Sequence, residues 1–168
     1  MHAFVIGLGL TLATAAAVAQ QPAGQPAVQA IKTFASSADV VALVAQAEGE
    51  RKEGQALASE YILRVPPYHA NLEYRASIGT AAVHEREAEL FYVIDAAATM
   101  VTSGKLGNEA RTNAENRTGT AIEGGTSRTV EKGDFIDVPR NAPHRFSAIN
   151  RTLVLMTLHV PRPVADTR

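Results

Sequence analysis

Apolar residues recur at Val40, Leu43, Val44 and Ala47, the i, i+3, i+4, i+7 spacing of one helical face. Ser36 stands three residues before Asp39, the arrangement of a capping box, and Gly49 and Gly54 bracket the far end. The pattern predicts one short helix over 37–48. Beyond it the period changes to two. Short alternating runs fall at 57–65, 71–77, 80–84, 89–95, 99–102, 120–122, 127–130, 135–138, 144–149 and 153–160, split by Gly, Pro, Asn or charged turns. Many short strands at close spacing predict an all-β fold, an antiparallel sandwich or barrel, with the helix packed against it. The one long polar stretch, 104–119, reads as a surface loop between two halves of the β structure.

The ends differ from this core. Residues 1–19 carry no Asp, Glu, Lys or Arg, and an apolar run at 4–12 is followed by Ala17-Val18-Ala19, small residues of the kind read by a signal peptidase. The expectation is a leader removed after Ala19, with export to the periplasm or outside of a bacterial-type cell and no stable membrane span afterwards. The alternative is an uncleaved anchor, for which 3–19 is barely long enough. Residues 20–35 read as a flexible lead-in and 36–168 as a single β domain.

Composition narrows the chemistry. The 168 residues contain no cysteine, which excludes disulfides, thiolate metal sites and Cys nucleophiles. A metal here must be held by His and carboxylate. Sixteen Lys and Arg against 17 Asp and Glu give a net charge of −1, so nothing draws the chain to nucleic acid. No phosphate-binding loop, nucleophile elbow or dinucleotide fingerprint is present.

Two clusters carry chemistry. In the first, His84 ends one strand and Glu89 opens the next; period two places Glu89, Phe91 and Val93 on one face. A hairpin would bring His84 beside Glu89 on the inner face, with Glu85, Arg86 and Glu87 as its solvated turn. A carboxylate aimed into a β core is costly unless it is paired or metal-bound. The bland alternative is that the whole run is an exposed charged turn. In the second cluster, Gly133 is followed by Pro139, a turn at Asn141, and His144 opening a strand.

These two clusters resemble the paired motifs of the cupin superfamily, over about 71–160. Gly133, Pro139 and His144 fall at the second motif's spacing, with Asn141 at the turn glycine and Ala148 at the closing Asn. His84 and Glu89 match the second His and the Glu of the first motif. Ala82 stands at its first His, and Ala76 and Ala96 stand at its glycines.

The resemblance implies a cupin-type antiparallel β-barrel, or jelly roll, with one short N-terminal helix. It implies one divalent metal on His84, Glu89 and His144, a set that suits Fe, Mn, Zn or Ni. Phe91 and Phe146 share the inward parity and would line the pocket. His159 could point inward from an apolar run, and His69 is a further spare histidine. Glu73 and Arg75 share a face and could simply pair. A metal-dependent enzyme on a small molecule, of dioxygenase or isomerase type, is one implied function; a non-catalytic small-molecule binder or sensor is the other. Cupins pair through sheet edges, so the resemblance also implies a homodimer, with 57–65 as the candidate edge strand.

Overall fold

The computed structural model describes residues 30–161; the expected leader, most of the lead-in and residues 162–168 lie outside them. Helix α1 (Ser37–Glu50) begins where the capping box stands. The Asp39 N–H donates to the Ser36 hydroxyl at 3.2 Å, and the Ser36 N–H donates back to the Asp39 carboxylate at 2.7 Å. The helix runs past its expected end because the Arg51 N–H still closes on the Ala47 carbonyl, at 3.2 Å. Gly49 does not stop it; the turn to positive φ comes at Gly54.

The strands build two facing antiparallel sheets. The first has the order β1 (Leu57–Val65), β2 (Tyr68–Arg75), β13 (Leu153–Pro161), β4 (Glu87–Asp95), β11 (Phe135–Val138). The second has the order β10 (Thr126–Glu131), β5 (Ala97–Thr102), β12 (His144–Ile149), β3 (Ala81–His84), β8 (Asn116–Gly119), β7 (Ala110–Arg111). A small ribbon pairs β6 (Lys105–Gly107) with β9 (Ala121–Glu123). This is the expected all-β jelly roll in its sandwich form; the sheets face each other rather than closing into one continuous barrel.

The polar stretch 104–119 is not a structureless loop. It holds β6, β7 and β8, and β8 pairs with β3 along its whole length. Its side chains are polar because the ribbon forms an exposed margin of the second sheet, where backbone pairing rather than apolar burial makes the strand. Gly119 is needed there, since a Cβ would meet the Gly107 carbonyl at 2.7 Å.

Two cores result. Between the sheets, Phe91, Val93, Leu153 and Leu155 of the first meet Met100, Val130 and Phe146 of the second. Behind the first sheet, the helical face Val40, Leu43, Val44 and Ala47 covers Ile62, Leu72 and Tyr74. Each large side chain fully buried in this way contributes about 1.5–3 kcal/mol. The apolar filling stops at one end of the sandwich, and polar side chains face each other across the gap.

Candidate metal centre

Glu89 sits on the buried face of β4 with Phe91 and Val93, as the alternation requires, and is 4% exposed. His84 reaches it from β3, a strand of the opposite sheet. The expected hairpin is therefore absent: β3 pairs with β8 and β12, not with β4. The short Glu85–Arg86 link crosses between the sheets, so His84 and Glu89 meet face to face across the sandwich. Glu87 belongs to β4 rather than to a solvated turn.

His144 comes from the start of β12. Asn141, at φ 62°, makes the turn before it, and the Asn141 N–H donates to the His84 carbonyl at 2.8 Å. That bond ties the two histidine-bearing segments together. His159 is the side chain the motifs understate. It stands opposite Glu89 in the β13–β4 register and so shares its inward face.

Three imidazole nitrogens converge on one carboxylate. His144 Nε2 lies 2.9 Å and His84 Nε2 3.2 Å from Glu89 Oε2, and His159 Nε2 lies 3.5 Å from Oε1. Two of the other nitrogens are held. His84 Nδ1 is 2.8 Å from the Asn116 amide oxygen, and His144 Nδ1 is 3.1 Å from the Ala142 carbonyl. Both of those oxygens can only accept, so both Nδ1 atoms carry a proton, and in the neutral imidazoles both Nε2 atoms present lone pairs. His159 Nδ1 lies 2.8 Å from the Glu87 carboxylate. Asn116 belongs to the stretch expected to be loop, and Glu87 to the expected turn; both stand behind the histidines.

The cluster favours positive charge at its centre. Glu89 Oε2 is buried and, despite its two close nitrogens, has no hydrogen-bond partner of acceptable geometry among the described residues. Lone pairs and a carboxylate aimed at one another repel unless a proton or a metal ion lies between them. The titration behaviour agrees. Burial pushes the Glu89 carboxyl up, but His144 and His84 overcome it and hold it well below the usual carboxylate range. Burial opposes charge on His84 too, yet Glu89 and Asn116 leave its proton affinity raised.

His84, Glu89 and His159 are placed to hold one ion, their candidate donor atoms lying within 4.8 Å of one another. The expected trio had His144 in place of His159; His144 touches the same carboxylate at 2.9 Å but is not one of these three. Ala82 faces the same cleft beside His144, leaving open the place where the first motif would carry its other imidazole.

The cleft around the cluster has a volume of about 710 Å³. Phe91 packs edge-on to His144 at 6.0 Å and to Phe146 at 5.6 Å, but neither ring lines the cleft as expected: both are taken up in the core between the sheets, beneath the histidines. His69 stacks on His159 at 6.2 Å and stays outside the cluster. Glu73, 8% exposed, also lines the cleft, paired with Arg75 at 2.7 Å. Burial pushes its carboxyl up, and Arg75 pulls only part of that back.

No family model matches the chain, and no curated protein matches it. Solved structures do. KdgF from Halomonas sp. is 18% identical, with 67% of this chain and 86% of that one covered and a TM-score of 0.48. An RmlC-like cupin from Shewanella frigidimarina is 13% identical over 67% and 83%, with a TM-score of 0.45. Hydroquinone 1,2-dioxygenase PnpCD, solved with Cd2+ and 4-hydroxybenzonitrile, is 14% identical over 61% and 63%, with a TM-score of 0.48.

Proposed function

We propose that this cupin-like chain binds one divalent metal ion, Fe, Mn, Zn or Ni, in the cleft between its sheets and acts there on a small molecule. The observation that carries the proposal is the orphaned Glu89 Oε2 at the focus of imidazole lone pairs. His84, Glu89 and His144 are the proposed ligands, as their motif positions imply, and His159 completes the set. An ion bound there supplies Lewis acidity, or redox chemistry where the metal allows it. The chain's own groups do the rest. Asn116 and the Ala142 carbonyl fix two imidazoles in the neutral tautomer that leaves Nε2 bare, and Phe91 packs against the His144 ring from the core.

An enzyme of dioxygenase or isomerase type is favoured over a passive binder by Glu73, which gives the cleft a second buried carboxyl, outside the ligand set and set against Arg75. Metal analysis of the purified chain tests the core of the proposal: a bound divalent ion lost on His84→Ala and His144→Ala supports it, and a chain that takes up no ion refutes it.

Two further proposals concern context. Export is supported by the apolar run at 4–12 and the Ala17-Val18-Ala19 site, and N-terminal sequencing of the exported protein should begin near Gln20. Among the described residues no helix is long and apolar enough to cross a membrane. A homodimer is supported by β1, an edge strand that exposes Tyr61 and Val65, although Lys32 pairs with Arg64 along part of it. A monomer mass in sedimentation at micromolar concentration would remove it.

A further inference from the structure

Resting on the metal proposal above, we infer that the cleft selects a small organic anion, its charged group bound by Arg75 and its reacting end directed at the histidine cluster. Arg75 belongs to the inward-facing set of β2 with Asn71 and Glu73, and its own register partner on β13 is Leu153, a core residue. Its guanidinium carbon lies 5.2 Å from the centre of the Phe146 ring, so a core aromatic supports it from beneath.

The guanidinium is held in place by one edge. Nε donates to Glu73 Oε2 at 2.8 Å, and Nη2 lies 2.7 Å from the same oxygen as an ion pair. The third nitrogen, Nη1, makes neither contact and lies beside Gly79, another residue that lines the cleft. An arginine whose one edge is anchored and whose plane rests on an aromatic ring is pre-organised to donate to an incoming acceptor. Glu73 is then a positioning residue for Arg75.

The charge of the lining favours an anion. The cleft carries two carboxylates, Glu73 and Glu89, and two guanidiniums, Arg75 and Arg145. Arg145 gives its Nε and Nη1 to the Gly79 and Thr120 carbonyls, at 3.0 and 2.6 Å, and neutralises no carboxylate there. These four groups balance, so a divalent ion leaves the lining positive by its own charge. With the ion on Glu89 and Arg75 on Glu73, neither acid is left to receive a cationic organic ligand. The cleft volume of about 710 Å³ suits a molecule large enough to reach from the ion to Arg75.

The test uses zinc-loaded protein freed of excess metal, its zinc content measured first. Malonate, succinate and glutarate are titrated calorimetrically, each against its own monoamide, so that only one charge is removed. Wild type should bind at least one of the diacids about tenfold or more tightly than its monoamide. Arg75→Gln should lose that preference while retaining zinc and its thermal stabilisation, and Arg75→Lys should keep part of it. Equal binding of every diacid and its monoamide by zinc-loaded wild type overturns the anion inference alone, as does a preference unchanged in Arg75→Gln. A wild type that retains no zinc overturns the metal proposal and this inference with it.

Discussion

At the scale of single residues, the site depends on side chains that do not touch one another in sequence. His84→Ala, His144→Ala and His159→Ala should each weaken zinc binding, while Glu85→Ala, which only loses ion pairs to Arg111 and Arg117, should leave it unchanged. Competition titration with a chromophoric chelator reads the series, and a His159→Ala variant of wild-type affinity would return the site to three ligands. Asn116→Ala removes the acceptor that orients His84 and should cost about tenfold or more in metal affinity. Asn141 carries a different load. At φ 62° and exposed, it should tolerate Gly with little change, whereas Ala should cost about 1 kcal/mol in denaturant unfolding. That His84, Glu89 and His144 would come together was legible, because local spacing marks all three. That His159 would join them was not, since alternation shows that it points inward but not which side chains it will meet there.

Elements were easier to read than their meetings. The helix is marked by its capping box and its apolar face, both of which the structure contains, and several strands fall where alternation places them. What failed was pairing: the link from His84 to Glu89 reads as a hairpin, yet it crosses between sheets, because β3 finds its partners in β8 and β12. The stretch 104–119 failed for a related reason, as a strand at a polar margin has no hydrophobic period to reveal it. Ser36→Ala removes the cap and should destabilise the protein by about 1 kcal/mol. Asp39 adds an acid dependence. Hydrogen bonds from the Ser36 backbone and side chain lower its carboxyl below the ordinary range. Its contribution is therefore present above the unfolded value near about 3.9 and lost as pH falls through the lowered folded one. Thermal melts below that pH should show a smaller Ser36→Ala effect than melts at neutral pH.

For the whole molecule, metal binding and protonation compete for the same nitrogen atoms. The raised proton affinity of His84 means that protonation stabilises the metal-free fold below the ordinary histidine value of about 6.5, and that this contribution is lost as pH rises through the folded value. The ion requires the same Nε2 bare. The rise in melting temperature on adding zinc should therefore grow from about pH 5.5 to about pH 8. A rise that shrinks over that range would place the ion on groups other than these histidines. The most direct measurement is the number of zinc ions retained per chain after loading and gel filtration, by elemental analysis, in wild type and in the double variant His84→Ala/His144→Ala. The account predicts one ion in wild type and none in the double variant; no ion in wild type, or equal retention by both, would contradict it.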